Sequence, residues 1–112
     1  MVIHERRVGA VTILALSGRL VLDDGDGLLR ERVDALVNSG DVRIVIDFSD
    51  LDYVDSAGIG VLIAKYLSVR RKGGSLKLLN LTKRIEDLLS ITKLLTVFDT
   101  FDSEAEAVKS YK

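Results

Sequence analysis

Residues 42–64 read VRIVIDFSDLDYVDSAGIGVLIA, and three local patterns follow one another within them. Val42–Ile46 is a short β-branched run, which is typical of a buried strand in a parallel sheet. An aspartate-rich segment over residues 47–55 is predicted as a loop. From about Ala57 the composition predicts a helix that reaches Lys72 and is stopped by two glycines. A buried strand, a polar connection and a helix in this order are the repeating unit of an α/β protein.

On either side of this unit the sequence predicts four further strands and three further helices. The strands are Val2–Val8, Val11–Ser17, Leu76–Leu79 and Val97–Phe98. One helix places Leu29, Val33, Leu36 and Val37 on one face and ends at Gly40, one is capped by Thr82, and one opens with a capping box at Ser103–Glu106 and runs through Val108. Strands that alternate with helices imply parallel pairing. We therefore expect one α/β domain over residues 1–112, with a single mixed sheet of about five strands, the first antiparallel and the rest mainly parallel, and about four helices.

Composition narrows the classes of function. The chain has 112 residues, 47% of them hydrophobic and 29% charged, which suits one globular core. A net charge of −1 gives no electrostatic basis for binding nucleic acid or an anionic membrane. The absence of cysteine excludes disulfides, thiolate nucleophiles and cysteine-ligated zinc. With no apolar run near the ~18 residues of a membrane span and no signal-peptide pattern, we expect a soluble cytoplasmic protein.

Ser56 is the first candidate functional residue, because it lies where a parallel strand is predicted to lead into a helix. At or beside the N-cap its hydroxyl should be exposed, with unpaired backbone amides nearby that would favour an anion such as a phosphoryl group. Aspartate and serine are also ordinary capping residues, so Asp55-Ser56 could be a helix cap and nothing more.

The helix after Ser56 is apolar on all sides for two turns, starting Ala57-Gly58-Ile59-Gly60-Val61-Leu62. A helix lying on a sheet normally buries one stripe. Either neighbouring elements cover this helix, or its outer side is a docking patch for another protein. Gly58 and Gly60 each weaken a helix by about 1 kcal/mol relative to alanine, and their small size would let a partner approach closely.

The segment Tyr53–Leu62, together with the element order, resembles the signature of the STAS domain family of anti-sigma factor antagonists. The resemblance implies that Ser56 accepts phosphate from a serine kinase that also acts as an anti-sigma factor, that a phosphatase removes it, and that the domain catalyses nothing and needs no cofactor. It implies partner contacts at the helix start and in the preceding loop; the residues concerned are Asp55, Ser56, Ala57, Gly58, Ile59, Gly60, Leu62, Asp23 and Asp24.

Two segments depart from the family pattern. Family members often have an aspartate three residues after the glycine that closes the second strand, whereas here Val21 follows Gly18 at that spacing and the nearest acids are Asp23 and Asp24. A glycine often follows the third helix, and this chain has residues 92–95, TKLL, instead.

Several alternatives remain open at this point. A hydrolase with Ser56 as nucleophile would need a base, and the only histidine, His4, is in the first predicted strand. The four aspartates of residues 47–55 could indicate a metal site, and Gly58-x-Gly60 could indicate a nucleotide site, although neither spacing fits a known motif.

Within the family, the domain could instead be a constitutive scaffold or assembly subunit, in a stress-signalling or membrane-lipid transport complex, with Ser56 as a docking residue. A basic group is interpreted as a solvated helix face; it comprises Lys65, Arg70, Arg71 and Lys72.

Overall fold

Five strands form one mixed sheet in a computed structural model that describes residues 1–111. In chain order they are β1 (Val2–Val8), β2 (Val11–Leu20), β3 (Arg43–Val54), β4 (Ser75–Leu79) and β5 (Thr100–Phe101). They lie side by side in that same order, with β1 antiparallel to β2 and the later pairs parallel. The helices are α1 (Asp26–Asn38), α2 (Ser56–Arg71), α3 (Lys83–Ile91) and α4 (Glu104–Lys109). The expected α/β architecture is confirmed.

The helices cover the two faces of the sheet unequally. One face packs against α1, α2 and α3, whose apolar stripes include Leu29, Leu62 and Ile85. The other face packs against α4 through Ala107. Among the described residues no helix is both long and apolar enough to cross a membrane. Most of the core therefore lies between the sheet and the three helices that follow β2, β3 and β4.

The predicted loop over residues 47–55 is wrong, because β3 continues through it to Val54. β2 likewise runs to Leu20 and pairs with this second half of β3. Between Asp47 and Asp50, and again between Leu51 and Tyr53, β3 carries one more residue than β2, so the strand bulges twice. The buried positions Phe48, Leu51 and Val54 are therefore three residues apart, and this spacing hides the two-residue period of a strand.

The predicted last strand, Val97–Phe98, is also wrong, since the residues that pair with β4 are Thr100 and Phe101. Phe98 is buried in the connection before β5, where its ring meets that of Tyr66 edge-on with centroids 5.0 Å apart. An apolar pair in the sequence thus marks a core contact here and not a strand.

The ends of the shorter helices follow the predicted caps. Thr82 accepts a hydrogen bond from the amide of Ile85 at the start of α3, and Ser103 accepts one from Glu106 at the start of α4. α3 ends without a glycine, because Lys93 adopts the left-handed conformation itself, with φ of 61°. The amide of the following residue, Leu94, donates to the carbonyl of Leu89, which closes the helix.

One member of the basic group of α2 has a structural partner. Lys65 donates to Asp34 of α1 at 2.7 Å, and its side chain is only 13% exposed, so the interpretation as a solvated residue is wrong for Lys65. Arg70, Arg71 and Lys72 are exposed at the end of the helix, as expected. The Lys65–Asp34 ion pair fixes α2 against α1 and leaves the start of α2 to be positioned by its own cap.

Candidate functional site

The candidate site lies where β3 ends and α2 begins. Asp55 is the N-cap of α2, and its Oδ1 accepts a hydrogen bond from the amide of Gly58 at 2.9 Å. Ser56 is the first residue of the helix and is exposed. The sequence placed Ser56 at or beside the N-cap, and the structure places it one residue after the cap.

Asp55 also joins the start of α2 to the loop after β2. Its Oδ2 accepts a hydrogen bond from the amide of Leu22 at 3.0 Å. These backbone donors, Leu22 first and Gly58 second, hold the pKa of Asp55 below its usual value, because hydrogen bonds to the charged form favour it. The carboxylate is therefore ionised at neutral pH and connects two segments that are 33 residues apart in the chain.

The carboxylate of Asp55 takes one of the amides that were expected to be free for an anion on Ser56. The amide of Gly58 is already bonded to Asp55. A phosphoryl group on Ser56 would therefore stand next to a carboxylate that already uses one of these donors. Like charges at adjacent residues repel, so the carboxylate of Asp55 disfavours a phosphoryl group placed directly over the cap.

The loop that departs from the family pattern forms a tight turn beside Asp55. Val21 and Asp24 exchange two backbone hydrogen bonds of 2.9 and 3.0 Å, and Asp23 between them has a left-handed backbone with φ of 61°. Asp24 accepts from the amino group of Met1 at 3.0 Å. Leu22 is 64% exposed at the tip of the turn. Asp23 and Asp24 thus lie in a loop that Asp55 anchors to the site.

Neighbouring elements cover most of the apolar surface of α2. Leu62 is 1% exposed and Ile59 is 9% exposed, so both fill the core. Gly58 is buried because α2 passes close to the end of β2: a Cβ at Gly58 would lie 2.3 Å from the carbonyl oxygen of Leu20. Of the predicted partner-binding residues in α2, these three are enclosed. Coverage by neighbouring elements, and not a docking patch, therefore accounts for most of the apolar surface of α2.

One face of α2 remains open to solvent, and we call it the exposed strip. Its residues are spaced at helical intervals and are small or apolar after the serine: Ser56, Gly60, Ala64 and Leu67. A Cβ at Gly60 would meet no atom within 4 Å, so nothing in the fold requires glycine there. Ser56 and Gly60 were named from the sequence, whereas Ala64 and Leu67 were missed, although their i+4 and i+7 spacing from Gly60 was the available signal.

A groove of about 1000 Å³ opens beside Ser56, between the start of α2 and helix α3. Its apolar lining comes from both helices and from the end of β3, namely Val54, Ile59, Ile85, Leu88 and Ile91. Ile91 is 79% exposed there. The sequence analysis missed this groove, although α3 carries apolar residues on more than the one face needed to cover a sheet.

The rival sites are not assembled by the fold. His4 is exposed on β1, an edge strand, and β2 separates that strand from the one that leads to Ser56. Three of the four aspartates of residues 47–55 are spread along β3 and the fourth caps α2, and within residues 1–111 no three acidic or histidine side chains gather as metal ligands would. Gly58 faces Leu20, which explains this glycine by packing and not by a bound phosphate.

The family model described as "STAS domain" matches residues 3–107, from β1 into α4. The chain belongs to the STAS domain family. The resemblance carried by Tyr53–Leu62 is thereby confirmed for the family, while the roles of single residues stay predictions.

Named relatives of this STAS domain are anti-sigma factor antagonists. It is 41% identical over 73 residues to the anti-sigma-B factor antagonist of Bacillus subtilis, a match that covers 64% of this chain and 65% of that one, slightly under two thirds of its length. It is 27% identical over 105 residues to the anti-sigma F factor antagonist of Paenibacillus polymyxa, covering 94% and 87% of the two chains. A crystal structure from Thermotoga maritima, provisionally assigned as an anti-sigma factor antagonist, superimposes with a TM-score of 0.90 at 26% identity over 97% of this chain and 93% of that one.

Proposed function

We propose that this STAS domain is an anti-sigma factor antagonist that works as a phosphorylation-controlled binding switch. It binds a serine kinase that is also an anti-sigma factor when Ser56 is unmodified, and it releases that partner when Ser56 is phosphorylated. The observation that carries the proposal is the position of Ser56. It is exposed on the first turn of α2, at the head of the exposed strip and on the rim of the groove. The names of the relatives support the partner class.

Phosphorylation would act through charge. A phosphoryl group brings about −1.5 to −2 charges at neutral pH. Because Asp55 is next to it and ionised, the modified site would present roughly three negative charges on one helical turn. Against a closely packed or acidic partner surface this costs several kcal/mol, and each ~1.4 kcal/mol is tenfold in affinity. We expect binding to weaken about a hundredfold or more.

No refolding is needed for this switch. The cap of α2 belongs to Asp55, so modification of the Ser56 hydroxyl removes no cap hydrogen bond. The buried residues of the helix start, Gly58 and Ile59, hold the backbone of Ser56 in place in either state. The domain itself would then be non-enzymatic, would work in the cytoplasm with its kinase, and would be reset by a phosphatase that removes phosphate from Ser56.

Isothermal titration with the cognate kinase tests the proposal. The kinase is first captured from the source organism on the Ser56→Ala domain, identified by its mass spectrum, and purified. Unmodified protein and Ser56→Ala should bind it with similar Kd values, and Ser56→Asp should bind about a hundredfold more weakly. Equal Kd values for all three proteins would refute the switch.

A constitutive scaffold in a larger assembly is the second candidate, and one observation favours it. Apolar side chains are exposed at Leu22, at Ile91 in the groove, and at Leu67 about three turns along α2 from Ser56. Their contact area does not depend on the state of Ser56. In that case Ser56 would be a docking residue that is never modified. Partner affinity would then be the same for Ser56→Asp and Ser56→Ala, and it would fall when Leu67 is changed to a charged residue.

A further inference from the structure

Two helix starts face the same groove. Ser56 lines it at the first turn of α2, and Lys83 and Arg84 line it at the first turn of α3. The other charged residues of the lining are Asp55 and Asp87. The groove is therefore lined by two cations and two carboxylates. A cation that is not already paired with a carboxylate is available to bind an anion on Ser56.

The pairing leaves one cation unused. Lys83 donates to Asp87 at 2.9 Å, and this contact raises the pKa of Lys83. Asp55 is taken up by the backbone amides of Leu22 and Gly58. Arg84 is exposed, and within residues 1–111 no carboxylate lies within 4.0 Å of its guanidinium. Arg84 is thus the cation of the groove whose charge has no partner.

We propose that Arg84 binds the phosphoryl group of phosphorylated Ser56 across the groove. The proposal deepens the proposed function and rests on it for the presence of phosphate on Ser56. Repulsion from Asp55 disfavours the dianion directly over the cap of α2, and the unpaired guanidinium of Arg84, in the part of the groove lining that α3 contributes, attracts it. A guanidinium suits this role because its parallel N–H groups match two phosphate oxygens at once.

The contact would change the groove as well as the charge of the site. A phosphoryl group held between α2 and α3 stands over the opening toward Ile59 and Leu88, which form part of the apolar lining. Phosphorylation would then reduce access to the groove in addition to repelling a partner at the exposed strip. The release of a partner that reaches into the groove would accordingly depend on Arg84.

The experiment uses the full chain with phosphoserine installed at position 56 during translation, so no kinase is required. Phosphorus NMR then follows the second pKa of the phosphate, which is about 6 for an ordinary phosphoserine. A nearby cation lowers this pKa because it favours the dianion. We expect the pKa in the R84Q variant to be about 0.5 to 1 unit higher than in the unsubstituted phosphoprotein, a shift reduced by solvent screening from that of a buried pair. The side-chain Nε–H resonance of Arg84 should move on phosphorylation.

K83Q is the matched control, because it removes the same charge from the same rim at a residue that already has a partner. A rise in the phosphate pKa with R84Q and little change with K83Q supports the proposal. Equal pKa values with and without R84Q, or a rise with K83Q alone, would overturn it. Arg84 is exposed, so the R84Q fold is checked by its amide spectrum and expected to be intact. Failure here leaves the partner affinities of Ser56→Ala and Ser56→Asp untouched, so the two proposals are tested separately.

Discussion

The Oδ2 atom of Asp55 accepts a hydrogen bond from the backbone amide of Leu22 at 3.0 Å, which ties the loop after β2 to the first turn of α2. The same carboxylate caps α2 through Gly58. One side chain thereby positions both the exposed serine and the turn that departs from the family pattern.

Replacing Asp55 by asparagine should lower the stability and flatten its dependence on pH. The pKa of Asp55 is depressed in the folded protein by its amide donors, so the carboxylate stabilises the fold above its unfolded pKa and loses this contribution as the pH falls through its folded pKa. As the pH falls from about 5 toward the lowered pKa of Asp55 in the folded protein, urea unfolding of the original protein should show a steeper loss of stability than unfolding of Asp55→Asn. If the stability of the two proteins depended on pH in the same way, the ionised carboxylate of Asp55 would not be what stabilises the fold.

The two glycines at the start of α2 should respond oppositely to alanine. Gly58→Ala forces a Cβ against the carbonyl oxygen of Leu20, and overpacking of this kind costs about 1–3 kcal/mol. Gly60→Ala meets open space and should raise the free energy of unfolding by about 0.5–1 kcal/mol, because alanine favours the helix. Urea titration of both variants measures the two free energies of unfolding. A lower free energy of unfolding for Gly60→Ala would show that Gly60 does not face open space.

Lys93→Gly should stabilise the protein by about 0.5 kcal/mol. Lys93 has a left-handed backbone after α3, a conformation that costs a residue with a side chain about 1–2 kcal/mol and that glycine adopts freely. Lys72 is the matched control, since it caps the end of α2 with φ of −94° and gains nothing from glycine. Thermal unfolding should show a higher Tm for Lys93→Gly and a lower one for Lys72→Gly. If the Tm changed in the same direction for Lys93→Gly and Lys72→Gly, the left-handed backbone of Lys93 would not be strained.

Gly60→Gln tests the exposed strip as the docking face. The larger side chain would project where the fold leaves open space, so it should weaken binding of the kinase at least about tenfold without lowering the free energy of unfolding. Ala105→Gln adds the same side chain at an exposed position of α4, on the other face of the sheet. Titration calorimetry should show a change in Kd for the first variant only. Unaltered binding by Gly60→Gln would place the interface elsewhere.

Local signals in the sequence were enough to predict the first two strands, the caps of the two shorter helices and the position of Ser56. Thr82 and Ser103 cap their helices because capping depends on residues three apart in the chain. The course of β3 was mispredicted because its two bulges arise from pairing with β2 and change the spacing of its buried residues. The last strand was misplaced because Phe98 is apolar for a contact with Tyr66, which is distant in the sequence.

In the candidate site, too, local features were predicted from the sequence and contacts between distant segments were not. Asp55 and Ser56 were identified from their position between strand and helix. The hydrogen bond to Leu22 and the groove shared with Arg84 join segments about 30 residues apart, and no local pattern reports such contacts. The burial of Gly58, Ile59 and Leu62 also depends on how closely α2 approaches the sheet, which only the folded chain determines.

Phosphopeptide mass spectrometry of the protein purified from its native cells tests the switch most directly. The account predicts that the peptide containing Ser56 carries phosphate in a fraction of the molecules, and that this fraction changes with growth conditions. Ser49, which is exposed on β3, provides an internal comparison and should remain unmodified. Complete absence of phosphate from Ser56 under every growth condition would contradict the switch and favour the constitutive scaffold.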